Sequence, residues 1–118
     1  MDSARPTNAR SFDVFASACP SRDAFGQIFS HWGMLVLAKL SSGGMRFGEL
    51  RRAVDGISER MLSRTLKALE QEGLVHREEW DQKPPRVEYR LTDGGRRISK
   101  SIISVIDTLY EEMEERRP

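Results

Sequence analysis

From Ser58 to Gly73 the apolar residues recur three and four positions apart, and polar ones fill the other side. Leu62, Leu66 and Leu69 form one stripe; Arg60, Arg64, Lys67 and Gln71 form the other. That is the period of a helix with two distinct faces. Ser58 is a good N-cap, Glu59 suits the first turn, and Gly73 is a natural stop. Just upstream, Phe47 to Val54 reads as a short amphipathic helix with Phe47, Leu50 and Val54 inward. Asp55-Gly56 is a turn signal between the two. The pair makes a helix-turn-helix pattern whose second helix carries the cationic face.

The pattern on either side extends this reading. Phe12, Val14 and Phe15 are apolar enough to dock on the body or on a partner subunit. Pro20 and Ser21 start a helix that runs to about Phe29, expected to bury Phe25, Ile28 and Phe29. Trp32 to Leu40 is apolar around most of its circumference and is expected to be the central buried helix. His31, just before it, reads as a cap or packing residue. Met45-Arg46-Phe47 is a candidate edge strand. Leu74 to Trp80 and Arg86 to Leu91 alternate as strands, and Val87, Tyr89 and Leu91 share one face. The loop between them carries Pro84 and Pro85, which cannot sit in a paired central strand. A hairpin directly after a two-faced helix is a wing. Thr92 caps a last helix over residues 93–116, striped by Ile98, Ile102, Val105, Ile106, Leu109 and Met113, with Tyr110 at its edge. So long a terminal helix has little of its own domain to cover, and a second copy of the chain is the economical cover for it.

The expected fold is therefore mainly α with a small β-hairpin, a winged helix-turn-helix with N- and C-terminal dimerisation helices. The expected dimer contacts are Phe12, Phe15, Ile102, Val105, Ile106, Leu109, Tyr110 and Met113. At 118 residues the chain is expected to be a single domain, 1–118, with residues 1–11 as a flexible arm. Charged residues make up 31% and hydrophobic ones 38%, an ordinary globular composition. No apolar run is long enough to span a bilayer, and the start lacks the apolar core of a signal peptide, so no membrane contact and a cytoplasmic location are expected.

The net charge of +1 does not by itself announce a nucleic-acid partner. Its distribution says more. From Arg46 to Lys67 there are six basic residues against three acidic ones; from Asp107 to Pro118 there are five acidic against two basic. A local basic face thus coexists with a near-neutral total. A solvated charged face on a surface helix would look similar, and only the flanking helix and hairpin favour a helix lying in a DNA major groove. There Arg can reach both guanine acceptors while Arg and Lys hold phosphates. Ser58, Arg60, Ser63, Arg64 and Lys67 are then the base and phosphate candidates, with Thr65 a weaker one nearer the packed face. Arg46, Arg51 and Arg52 would grip the backbone from the preceding elements, and Lys83 and Arg86 from the wing.

Cys19 is the one cysteine, so no intrachain disulfide framework exists. A cysteine just before a helix N-terminus sits in a field that favours the thiolate, which suits a sensor of oxidants or electrophiles. On the chemistry alone, a small residue packed against the first helix is the simpler account of it. Two histidines and one cysteine offer no convincing metal spacing, and no metal or other cofactor is expected. No catalytic residues stand out, neither paired carboxylates nor a nucleophile–base set, so an enzyme is not expected.

Several blocks go further. Cys19-Pro20, the Trp32-led apolar segment, Arg46-Phe47-Gly48-Glu49-Leu50-Arg51-Arg52 and Gly56-Ile57-Ser58-Glu59-Arg60-Met61-Leu62 occur in order. Leu69 to Val75 and Pro84 to Thr92 follow, with Gly95 closing the last block. Over roughly residues 19–113 the chain resembles the HxlR family, a branch related to MarR-type regulators. It departs from that family at Phe29-Ser30-His31, where Gly-Gly-Lys is usual. The resemblance implies a homodimeric bacterial transcription factor acting on palindromic operators near its target genes, often as a repressor. It also implies that Cys19 stands at the position through which some members sense aldehydes, quinones or oxidants. A regulator answering a small ligand without thiol chemistry, and a winged helix used as a protein-docking module, remain the alternatives.

Overall fold

The computed structural model describes residues 11–117. Residues 1–10 of the expected arm lie outside the described residues. The order of elements is α1 (Pro20–Ile28), α2 (His31–Lys39), a short 3-10 turn (Leu40–Ser42), α3 (Phe47–Ala53), α4 (Glu59–Gln71), β1 (Val75–Trp80), β2 (Arg86–Leu91) and α5 (Asp93–Glu115). The two strands pair antiparallel, with Val75 opposite Leu91 and Trp80 opposite Arg86. This is the winged helix-turn-helix that the pattern predicts.

The core sits where α2 meets α4 and α5. Val36, Leu37, Leu50, Leu62 and Leu69 are fully buried, and Leu40, Leu66 and Ile102 nearly so. Removing any one of these leucines to alanine costs about 2–5 kcal/mol. Ser30 caps α2 by accepting the Gly33 N–H at 3.1 Å. His31 opens that helix with its ring edge-on to Trp32, 4.6 Å away. The first turns of α5 fold on the core, where the buried Ser99 hydroxyl donates to the Leu37 carbonyl at 2.8 Å. Thr92 caps α5 by accepting the Gly95 N–H and itself donates to the Gly73 carbonyl at 2.7 Å. The recognition-type helix α4 and the terminal helix α5 are therefore pinned end to end.

Three expectations need correction. α1 stops at Ile28, and only Ile28 is buried; Phe25 and Phe29 are 49% and 39% exposed and stack on each other at 4.7 Å. α1 lies across the edge of the body, so its apolar side reaches past the core. Phe12 and Phe15 are 60% and 86% exposed, so of the two docking places expected for them the chain's own body is not the one. The edge strand shrinks to a single bridge, Met45 to Tyr89, because Phe47 already begins α3. Glu88 is buried although it is charged and lies on the strand face opposite Val87, Tyr89 and Leu91. Ile102, expected as a dimer contact, is instead buried in the chain's own core because the first turns of α5 fold onto α2, and Ile106 still packs against it, whereas Val105, Leu109, Tyr110 and Met113 are half or more exposed.

Candidate nucleic-acid interface

The turn between α3 and α4 is tight because Gly56 takes a positive φ of 89°, a conformation that L side chains rarely adopt. Ile57, next in line, is buried and anchors the turn. Ser58 then accepts the Met61 N–H at 3.0 Å and starts α4. With Leu62, Leu66 and Leu69 driven into the core, the helix period forces Arg60, Ser63, Arg64 and Lys67 outward together. These four line one shallow concavity of about 460 Å³. Among the described residues neither Arg60, Arg64 nor Lys67 takes part in an ion pair. Their side chains are exposed to solvent. Thr65 is half-buried, on the packed side as expected.

The flanking cations differ in how free they are. Arg46 precedes α3, and its N–H is capped by Glu49 at 2.8 Å. Arg52 is exposed, with no ion pair among the described residues. Arg51 reaches across to Glu59 at 3.4 Å, an exposed contact that ties α3 to the first turn of α4. Such an exposed pair is worth little in stability. Lys83 stands at the wing tip, exposed. Arg86 is not a loose tip residue: its guanidinium grips Glu88 and lies 5.3 Å from the Trp80 ring centre. Pattern reading missed both Glu88 and its second partner, Arg90.

Cys19 is the N-cap of α1 and half-buried. Its Sγ accepts the Asp13 backbone N–H at 3.2 Å and lies 3.2 Å from the Ser21 hydroxyl. Arg22 donates to the Val14 and Phe15 carbonyls at 2.8 and 3.1 Å, which folds residues 13–19 back over the thiol. The Asp13 N–H first, and Ser21 after it, hold the thiol below its ordinary pKa, against the opposing charge of Asp13 and slight desolvation. The expected helix-end effect is thus supplemented by a chain that folds back to donate. Among the described residues no group of His, Cys, Asp or Glu is arranged to hold a metal ion. No helix of the structure is long and apolar enough to cross a membrane.

A second concavity, about 340 Å³, lies between α2, the end of α3 and α5, lined by Leu35, Ala38, Val54, Ile106 and Tyr110 with Lys39 and Asp55 at its edge. It adjoins the exposed stripe of α5.

Comparison with known proteins agrees with this geometry. Residues 27–117 match the family model described as HxlR-like helix-turn-helix. An uncharacterized helix-turn-helix-type transcriptional regulator of Escherichia coli (strain K12), YtfH, is 42% identical over 95 residues, covering 80% of this chain and 75% of that one. The solved structure of the YtfH protein of Salmonella typhimurium superposes with a TM-score of 0.80 at 38% identity, over 88% of this chain and 93% of that one. The redox regulator HypR in its oxidized form follows with a TM-score of 0.69 and 35% identity, over 85% of this chain and 99% of that one.

Proposed function

The chain belongs to the HxlR-like helix-turn-helix family of transcriptional regulators, and from that premise we propose that it binds operator DNA as a cytoplasmic homodimer and represses the genes it controls. The observation that carries this is the open face of α4, where Arg60, Ser63, Arg64 and Lys67 converge with no ion pair among the described residues. One α4 per subunit enters the major groove, and the two half-sites lie about one helical turn apart, so the operator is palindromic. Ser58 and the four α4 residues read bases and hold phosphates. Arg46, Arg51, Arg52, Lys83 and Arg86 grip the backbone around them.

The dimer forms through the exposed side of α5, with Val105, Leu109, Tyr110 and Met113 as its contacts and the half-buried Ile106 at their edge, while Ile102 is taken up by the chain's own core. The exposed Phe12 and Phe15 add to it from the N-terminal side. Residues 1–118 act as one winged domain, with 93–116 as the dimerisation helix.

Cys19 supplies the switch. Its hydrogen-bonded thiol has raised thiolate character, and the thiolate is the reactive form. With one cysteine per chain, oxidation joins two chains or takes up a small thiol, the oxidant accepting the two electrons. The likeness to the redox regulator HypR adds to this reading. The cavity beside Tyr110 favours a second reading, in which a small ligand rather than thiol chemistry sets the response.

The deciding experiment is duplex binding to the gene's own upstream region at two salt concentrations, with reduced and oxidised protein and with Cys19→Ser. Salt-steep binding that changes on oxidation only when Cys19 is present is the expected result. Binding indifferent to salt would point to a docking module instead. A response that persists in Cys19→Ser would hand the switch to the cavity.

A further inference from the structure

The outer face of the wing carries an arrangement that the α4 reading does not use. Along β2, Arg86, Glu88 and Arg90 alternate onto one face. The Met45–Tyr89 bridge sets the Gly44–Arg46 segment beside β2, which brings Arg46 alongside Glu88. Glu88 thus stands at the centre of three arginines, with its side chain only 8% exposed. Its Oε2 takes Arg86 through Nε at 3.0 Å and through Nη2. Its Oε1 takes Arg90 Nη2 at 3.2 Å, and Glu78 takes Arg90 Nε at 2.9 Å. The cover over the carboxylate is arginine stem and the bare backbone of Gly44, where a Cβ would come within 2.8 Å of Oε1.

A structural ion cluster would spend its donors inward. Here each arginine is held by its Nε–Nη2 edge, and Nη1 of Arg86 and of Arg90 has no acceptor among the described residues. The Trp80 ring fixes the plane of Arg86 from the side. Two guanidinium groups are therefore pre-oriented, each with a pair of N–H donors left to give. Such groups lose less side-chain freedom on binding an oxyanion than free ones do.

We propose that Glu88 is a positioning residue that aligns Arg86 and Arg90 as a two-pronged grip for a phosphate of the DNA backbone, and that Arg90 belongs to the DNA interface. The inference rests on the DNA-binding reading. The carboxylate stays ionised because Arg86 first, and Arg90 and Arg46 after it, hold its pKa below the usual range.

The test turns on a sign. Glu88→Gln removes a negative charge beside DNA. If Glu88 only neutralises the face, that change must tighten binding and steepen the salt dependence. If Glu88 positions the arginines, binding weakens despite the gained charge. Phosphate contacts carry no sequence information, so a mixed-sequence duplex of about three helical turns is the probe. Its affinity is measured over a salt series for the full chain and for Glu88→Gln, Arg90→Ala, Arg90→Lys and Arg64→Ala. Native-like thermal unfolding is required of each variant scored, and Arg90, whose side chain is 48% exposed, can be removed without opening the core.

Expected are a loss of roughly threefold or more for Glu88→Gln, and for Arg90→Ala roughly fivefold with a salt slope shallower by about one. Arg90→Lys keeps the charge and recovers the slope but not the affinity. Tighter or unchanged binding by Glu88→Gln overturns the inference, as does an inert Arg90→Ala. If those two are inert while Arg64→Ala weakens binding, DNA binding stands and the inference alone falls. If the native chain shows no salt-dependent binding, both fall.

Discussion

Two adjacent glycines at the start of α5 should respond in opposite directions to the same substitution. A Cβ on Gly95 would sit 2.0 Å from the Leu74 carbonyl oxygen and 3.0 Å from its carbon. A Cβ on Gly94 would meet nothing closer than the Leu74 Cδ2 at 3.8 Å. The first clash is with backbone, about 1 Å short of the closest contact that packed atoms tolerate, so no rotamer change relieves it. Either α5 or the α4–β1 junction must move. The movement strains the Thr92 N–H to Leu74 carbonyl bond, 3.0 Å long, and the Thr92 hydroxyl to Gly73 carbonyl bond, 2.7 Å long. Overpacking against a fixed neighbour costs about 1–3 kcal/mol, and a weakened hydrogen bond adds about 1 kcal/mol. Gly95→Ala should therefore lose about 2–4 kcal/mol, a large share of the 5–15 kcal/mol that holds a typical domain together. Gly94→Ala should gain a few tenths of a kcal/mol, since alanine orders the helix more cheaply than glycine. Equilibrium unfolding in urea, followed by far-ultraviolet circular dichroism at one fixed chain concentration, reads both. The midpoint should fall by about 1–2 M for Gly95→Ala and rise slightly for Gly94→Ala. Equal midpoints for the two variants would refute the claim that α5 touches the end of α4 through backbone at Gly95.

Three further outcomes are expected. Ser58→Ala removes the cap on α4 and should cost about 1 kcal/mol in the same urea assay, leaving the helix otherwise intact. The Cys19 thiol, held below its ordinary pKa, should react with iodoacetamide along a pH profile whose midpoint lies below that of the urea-unfolded chain. Ser21→Ala should move that midpoint up, because it removes a donor to the thiolate, and an unmoved profile would disconnect Ser21 from the thiol. Finally, Leu109→Glu, on the clear side of α5, should leave the urea-unfolded fraction of a dilute sample unchanged while halving the mass seen by light scattering; a native chain already monomeric at micromolar concentration would remove the proposed interface.

The parts of this fold that are legible in the chain are those whose period the backbone imposes. α4 shows at once because burying Leu62, Leu66 and Leu69 leaves Arg60, Arg64 and Lys67 nowhere to go but outward. The hairpin shows because alternation and two prolines mark its strands and tip. What period cannot say is who covers an apolar face. Phe25 and Phe29 look like core residues, yet α1 crosses the edge of the body and leaves them open. The burial of Glu88 is hidden for a related reason. Alternation puts it on the outer face, correctly, but the single bridge at Met45 and the arginines two residues either side close over it. The only trace of that is the spacing Arg86-x-Glu88-x-Arg90, a charge pattern rather than a hydropathy pattern. The surroundings of Cys19 are equally hidden, because they depend on residues 13–15 turning back over α1.

The contacts between helices also decide what a signal at one end can do at the other. α5 is fixed to α2 by the Ser99 hydroxyl on the Leu37 carbonyl, and to the end of α4 by Thr92 on Gly73. Both are short and one is fully buried, so α2, α4 and the first half of α5 move as one body. Beyond Ile106 α5 is exposed, and residues 13–19 are held by hydrogen bonds to one another and to Arg22 of α1 rather than to the core. On the proposed reading, a modification at Cys19 therefore does not deform α4. On that reading it acts through the exposed Phe12 and Phe15 beside the thiol, which share the subunit contact, and the quantity altered is the separation and tilt of the two α4 helices. A palindromic site with half-sites one helical turn apart tolerates little of either. The consequence is specific: oxidation should abolish binding to a duplex carrying both half-sites while leaving the weak, salt-steep affinity for a single half-site unchanged. Equal loss on both duplexes would mean that the thiol acts within one subunit, and α1, which packs on α4, would then be the route.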